Sequence, residues 1–453
     1  MLIRLIIDNF LSFGEEREFN MLPNERYRKL EHHTYPVGNQ SVLKLAAIYG
    51  ANAAGKSNLV KALSFLSYLT YNESIPARPG GWHFKLDEEG RHRPTTLAIE
   101  FQAETNAFIY AIQVVNGTLT AEELYVSSLG DGEDRLIFER SVVDGRVSIR
   151  FGEAFYQDDK NRVLQDLLEN NLLVPDKPAL RYLTTLKVAR LPELQEAADW
   201  LLQGLKVIAP DDPARAMAYF LSRDPAMYRY ADQMIKAYNL GIDGIHLART
   251  PLKEFFGRDA TQQIDEIKEH LAKAGTGIIT LSNEGGNEYT IVEESDEIFV
   301  QHLLTKHATA AGKERLFTLD QESDGSRRLV HLIPIFQEVV QKPVVYFIDE
   351  IERSLHPAII KELIAKFSED PKTQGQLIFT THESNLLDQS ILRRDEIWFA
   401  EKNSLGSTDL YSLSKFREHH TMDIQRGYLN GRYGAIPFTG NLEELNWHEY
   451  DPV

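Results

Sequence analysis

Gly50-Ala51-Asn52-Ala53-Ala54-Gly55-Lys56-Ser57 places a glycine, four free positions and then Gly-Lys-Ser directly after the apolar run Leu45 to Tyr49. Set between a strand and a helix, this is the pattern of a phosphate-binding loop. The two glycines let the backbone turn its N–H groups inward, and the helix that follows adds the positive end of its dipole. Lys56 supplies a point charge for β/γ-phosphates, and the Ser57 hydroxyl supplies a ligand for Mg²⁺. Gly50, Asn52, Gly55, Lys56, Ser57 and Asn58 are accordingly the candidate nucleotide contacts, with ATP and Mg²⁺ the expected ligands.

Three segments in the last third of the chain could complete such a site. Val344-Val345-Tyr346-Phe347-Ile348 is an apolar run that ends in Asp349-Glu350. Runs of this kind suit parallel strands covered on both faces, and ligands gather at the carboxyl ends of those strands. Asp349 is expected beside the phosphate loop as a Mg²⁺ ligand, and Glu350 as the group that polarises an attacking water. Leu377-Ile378-Phe379-Thr380-Thr381 is a second such run, followed by His382, whose neutral imidazole could bond a γ-phosphate or position the water. Glu322-Ser323-Asp324-Gly325-Ser326 opens a helical stretch, where a serine N-cap makes another anion-ready terminus.

In this order the motifs resemble the ABC-type ATPase heads, and within them the SMC/RecF-like branch. The opening Leu2-Ile3-Arg4-Leu5-Ile6-Ile7-Asp8-Asn9-Phe10-Leu11-Ser12-Phe13 is similar to that branch's first strand. The Glu-Ser-Asp-Gly-Ser signature, Arg394-Asp395-Glu396-Ile397-Trp398-Phe399 and Gly427-Tyr428-Leu429-Asn430-Gly431-Arg432-Tyr433-Gly434-Ala435-Ile436-Pro437 are similar to the bacterial RloA-like ATPases. That family is related to OLD-type ATPases and to the ATPase subunits of the PARIS and Septu anti-phage systems. The resemblance covers roughly the first 115 and last 150 residues.

The resemblance implies a head-to-tail dimer or higher homo-oligomer. Glu350 and His382 would be catalytic, Ser57 and Asp349 would hold the metal, and Ser323 and Gly325 would meet the γ-phosphate of the opposite subunit. It also implies a separately encoded effector, a TOPRIM-like nuclease, and a phage trigger protein. The signature departs from the Leu-Ser-Gly-Gly-Gln of transporters, since Asp324 replaces a glycine. The stretch His83 to Asp87, where a metal-sensing glutamine is expected, contains no Gln. A second reading stays open, that of a RecF/SMC-like DNA-repair ATPase acting directly on DNA.

The elements needed to position these residues are legible in outline. A helix is expected over 58–68, and strands over 97–101, 108–115, 135–140 and 147–151, with hairpin turns at Asn116-Gly117 and Asp144-Gly145. From about 163 the apolar period becomes helical, with one stripe at Leu164, Leu167, Leu168 and Leu172 and another at Leu194, Ala197, Ala198 and Leu201. Asp211-Asp212-Pro213 reads as a helix cap with proline in the first turn. A charged helix over 261–273 precedes strands near 277–292. The expected fold is α/β: an ABC-type P-loop head with an antiparallel β lobe and a mainly helical insertion. Its divisions are 1–115 for the first part of the head, 116–160 for the lobe, 161–295 for the insertion and 296–453 for the rest of the head.

Composition bounds the classes. The 453 residues are 43% hydrophobic, those of a globular protein. The absence of cysteine excludes disulfides and thiolate metal sites. No apolar run reaches the length of a membrane span, and the N-terminus carries no leader pattern, so a cytoplasmic place is expected. Sixty-seven acids against 49 Lys and Arg give a net charge of −18, which disfavours coating nucleic acid nonspecifically.

Overall fold

The computed structural model describes residues 1–157, 160–186, 191–210, 212, 217–238, 240–257, 260–274, 277–283, 287–295, 297–416 and 423–436. The chain forms two compact units. One comprises Met1–Ala209, Pro343–Ile351 and Ser368–Val453, the other Pro210–Lys342 and Glu352–Phe367. Both carry strands and helices, in keeping with the mixed α/β class expected.

The first unit is built on two sheets. One has six strands in the order Leu205–Ile208, Val345–Ile348, Gln376–Thr381, Leu45–Gly50, Ile397–Lys402 and Thr408–Ser412. All neighbours are parallel except the last pair. Every residue of Leu45–Gly50, Val345–Ile348 and Gln376–Thr381 is buried, which is why these strands read as unbroken apolar runs rather than alternating ones. Helix Lys56–Leu69 follows the phosphate-loop strand and buries Leu59, Val60, Leu63 and Leu66.

The second sheet is antiparallel, with seven strands in the order Arg146–Phe151, Arg135–Val143, Thr118–Val126, Ala107–Val115, Thr95–Gln102, Leu2–Asp8 and Arg17–Asn20. Its two expected hairpin turns form with both central residues left-handed: Asn116 (φ 51°) and Gly117 (φ 79°), Asp144 (φ 50°) and Gly145 (φ 74°). This is the turn whose twist matches that of paired strands. Strand Arg146–Phe151 alternates strictly, burying Val147, Ile149 and Phe151. One continuous apolar cluster, including Leu5, Ile48, Leu63, Ile99 and Tyr110, joins both sheets and the loop's helix.

The divisions differ from those expected. A boundary after residue 115 cuts the hairpin between Ala107–Val115 and Thr118–Val126, because the lobe draws strands from residues 2–20 and 95–115. The segment 161–295 is shared between the units: its first helices pack in the first unit, with Leu194, Ala197, Ala198 and Leu201 buried as expected. Leu167 does not join the first stripe and is 47% exposed. A π-helical turn at Leu168–Leu172 changes the helical phase just after it.

The second unit contains an antiparallel sheet, in the order Gly244–Pro251, Glu297–Ala308, Glu288–Glu294, Ile278–Ser282, with Glu314–Thr318 also paired to Glu297–Ala308. Helix Thr261–Ala274 packs Ile264, Ile267 and Leu271 on Ile291 and Val300. Helices Met217–Arg223, Pro225–Ala237 and Asp324–Gln341 also belong to this unit. The cap expected at Asp211-Asp212-Pro213 lies outside the described residues, since 211 and 213 are not described.

Candidate functional site

The loop after Leu45–Gly50 is shaped by close approach. A Cβ at Gly50 would meet the Ala400 carbonyl oxygen at 2.5 Å, so only glycine lets the strand pass its neighbour. Gly55 has φ 109° and stands against the side chains of Thr408 and Ser12, where a Cβ would collide with both hydroxyls. Helix Lys56–Leu69 starts at this glycine with no side-chain cap; the Asn58 amide donates to the Gly55 carbonyl at 3.0 Å, and the positive end of the helix faces the loop.

A hydroxyl cluster holds the loop from outside. Thr408 Oγ1 is 2.8 Å from the Ala54 carbonyl and 2.8 Å from Ser12 Oγ, and the Thr408 amide donates to the Ser12 carbonyl at 2.7 Å. The Asn58 side-chain amide donates to Ser12 Oγ at 2.8 Å. Asn58 therefore braces the loop through Ser12.

Lys56 is buried to 6% exposure and folds back over the loop. Its ammonium donates to the Gly50 carbonyl at 2.8 Å, the Ala51 carbonyl at 3.2 Å and His382 Nε2 at 3.1 Å. Since an ammonium has only protons to offer, Nε2 accepts and the His382 proton sits on Nδ1. The cation and the positive end of helix Lys56–Leu69 fit phosphate oxygens, and the His382 imidazole lies directly against that cation.

The two acids lie on a strand next but one to the phosphate-loop strand, with Gln376–Thr381 between them. Asp349 ends Val345–Ile348 and is 3% exposed. Thr380 Oγ1 donates to Asp349 Oδ1 at 2.5 Å and accepts from the Glu350 amide at 2.8 Å, and the Thr380 carbonyl accepts from the Ile351 amide at 3.2 Å. Glu350 has φ 48°, a left-handed conformation that costs a non-glycine residue about 1–3 kcal/mol and clusters at functional sites. A buried carboxylate beside a partly exposed one fits a divalent cation held by oxygen ligands.

In the second unit, Ser323 caps helix Asp324–Gln341, its Oγ accepting from the Ser326 amide at 3.1 Å. Gly325 packs against the turn that carries Ser354, whose carbonyl oxygen would lie 2.7 Å from an added Cβ. Glu322 is held by Thr305 Oγ1 at 2.5 Å and His307 Nε2 at 2.6 Å, which ties the start of the signature to strand Glu297–Ala308.

The family profile described as "AAA domain, putative AbiEii toxin, Type IV TA system" matches residues 45–388, more than half of the chain and the span from the phosphate-loop strand to just beyond His382. The chain belongs to this AAA_21 family. No curated protein matches it. Among solved structures it is similar to the SmcHead bound to the C-winged helix domain of ScpA, with 15% identity, 91% of this chain and 97% of that chain covered and a TM-score of 0.42. It is also similar to the SMC head domain from Thermotoga maritima (11% identity, 91% and 98% covered, TM-score 0.37). A third is the Smc head domain with an extended coiled coil bound to the C-terminal domain of ScpA from Pyrococcus furiosus (12% identity, 95% and 98% covered, TM-score 0.38).

Of the residues singled out by sequence in this AAA_21 chain, Lys56 and His382 are in direct contact. Asp349 and Glu350 are joined through Thr380. Asn52 is exposed in the loop and Ser57 is half-buried in the first helical turn. Sequence reasoning assigned no role to Thr380 or Thr408. Thr380 could have been found as a hydroxyl two places before the histidine, directly after the apolar Leu377-Ile378-Phe379. Thr408 carries no such signal, because its partners are hundreds of residues away. Helix Ile424–Leu429 also touches this region: Gln425 Nε2 donates to Asn385 Oδ1 at 3.0 Å, on the turn that follows His382.

Proposed function

We propose that this chain is an Mg²⁺-dependent ATPase subunit that works as a homo-oligomer and controls a separately encoded effector in anti-phage defence. The observation that supports the ATPase reading is the 3.1 Å contact between Lys56 and His382, the latter two residues after the Thr380 that bonds Asp349 and Glu350. Lys56 and the first turn of its helix bind the β/γ-phosphates, and His382 bonds the γ-phosphate in the tautomer that carries its proton on Nε2. Ser57 and Asp349 would hold Mg²⁺, which would supply charge neutralisation for the phosphate oxygens. Glu350 accepts the proton of the attacking water, so the γ-phosphorus to β-oxygen bond breaks as the water oxygen bonds phosphorus, giving ADP and phosphate.

The trans arrangement rests on Ser323. Its capping of a separate helix gives an outward anion-ready terminus that a second copy's nucleotide could complete. The effector is what the resemblance to RloA-like ATPases implies; the family's description names a putative toxin of a type IV toxin–antitoxin system.

Purified protein tests the catalytic reading. Lys56→Ala should lose ATP affinity in calorimetry, and Glu350→Gln should bind ATP yet turn over roughly 10²–10⁴-fold more slowly. Wild-type affinity in Lys56→Ala or wild-type turnover in Glu350→Gln would reject it. Co-purification of the products of the native operon tests the effector. Turnover stimulated by DNA in the isolated chain would instead favour a repair ATPase.

A further inference from the structure

We propose that Thr380 is the positioning residue of the acid pair, setting both the carboxylate orientation of Asp349 and the backbone of Glu350. This deepens the ATPase reading and rests on it.

Three consecutive residues hang on this one threonine. Its hydroxyl has one proton and spends it on Asp349 Oδ1 at 2.5 Å, which fixes the rotation of the carboxylate that ends the strand. A lone pair of the same oxygen accepts the Glu350 amide at 2.8 Å. The Thr380 carbonyl accepts the Ile351 amide at 3.2 Å. The chain therefore leaves strand Val345–Ile348 with Asp349 turned one way and Glu350 held left-handed, at φ 48°. Thr380 itself is fully buried, so no water replaces either bond at equal geometry.

Its position also matters along the chain. Thr380 stands two residues before His382, whose imidazole meets Lys56. His382 lies just past the end of strand Gln376–Thr381, so the residue that fixes the acids and the residue that meets the loop cation are joined by a single intervening residue, Thr381. Groups that orient a metal-holding carboxylate matter almost as much as the carboxylate.

The experiment compares Thr380→Val, which keeps the shape and removes the hydroxyl, with Thr380→Ser, which keeps the hydroxyl. Two quantities are read: the split between kcat and KM for ATP, and the Mg²⁺ concentration at which ATP affinity by calorimetry is half-maximal. Thr380→Val should lower kcat by about 10–100-fold with KM for ATP little changed, and should raise the Mg²⁺ midpoint by a similar factor. Thr380→Ser should return both close to wild type. Thr380→Ala serves in place of the valine variant if that chain does not fold. Wild-type kcat and Mg²⁺ midpoint in a folded hydroxyl-free variant would overturn the proposal. So would a serine variant as impaired as the valine one, or failure of both hydroxyl-free variants to fold, which would make the role structural. A wild-type chain that binds ATP without hydrolysing it would sink the ATPase reading alone, since the Mg²⁺ midpoint would still decide the role of Thr380.

Discussion

Lys56 Nζ and His382 Nε2 lie 3.1 Å apart, donor to acceptor, beyond the ends of the parallel neighbours Leu45–Gly50 and Gln376–Thr381. The loop cation is therefore held by the strand-end imidazole. An anion that takes the ammonium would release Nε2, which could donate to that anion only after its proton moves from Nδ1.

His382→Ala removes this acceptor. Turnover is expected to fall by roughly 10²–10⁴-fold, as for other positioned polar groups in proton or water handling, while the fold persists. Steady-state ATP hydrolysis alongside a thermal melt checks it.

Thr408→Val leaves the Ala54 carbonyl without its buried donor and breaks the link to Ser12. The expected cost is about 1–3 kcal/mol of stability. ATP affinity should fall with it, because the loop loses its outer brace. Urea unfolding and calorimetry on the same preparation separate the two effects.

Gly55→Ala should abolish nucleotide binding, because φ 109° and the Thr408 and Ser12 hydroxyls leave no place for a methyl group. Gly117→Ala supplies the contrast. Its Cβ meets open space, so the expected penalty is confined to about 1–2 kcal/mol of backbone strain, with binding intact. Equal ATP affinity in the two variants would contradict this account of the loop.

Burial, with Arg328 and Arg327 adding like charge, lowers the His331 imidazole from 6.5 to about 4. A base held below its unfolded value is neutral in the fold. Its contribution to stability is complete above about pH 6.5 and is lost as pH falls toward 4. Thermal melts at about pH 7.5 and about pH 5 should show a smaller drop for His331→Gln than for the wild type.

If Ser323 acts on the nucleotide of a second copy, mixing Lys56→Ala with Ser323→Arg subunits should restore part of the activity that each lacks alone. One site of the mixed pair carries both defects and the other carries neither. Hydrolysis measured against the fraction of mixed assembly checks this, and ATPase-active monomers by light scattering would refute it.

The loop, the acid pair and the histidine were legible because each is a contiguous pattern whose spacing follows from its chemistry. The hairpins at Asn116-Gly117 and Asp144-Gly145 were legible because their turn type demands those residues. What escaped were relationships between distant segments. Strand Leu205–Ile208 is four residues long and joins the parallel sheet beside Val345–Ile348, a pairing that no local period reveals. The lobe could not be bounded, because Leu2–Asp8 pairs with Thr95–Gln102 across the loop and its helix. Leu167 was placed in a buried stripe because a π-helical turn leaves no mark in a 3.6-residue period.

The hydroxyl brace on the phosphate loop has a consequence in time. Ser12 and Thr408 are 396 positions apart, and the loop lies between them in sequence. During synthesis the loop, its helix and Ser12 leave the ribosome early, but Thr408 and the strands on both sides of Leu45–Gly50 come from beyond residue 375. Contacts this distant close late and slowly. An unfinished chain can therefore display the Gly-Lys-Ser motif without owning a site, and competence for nucleotide arrives only near the end of translation.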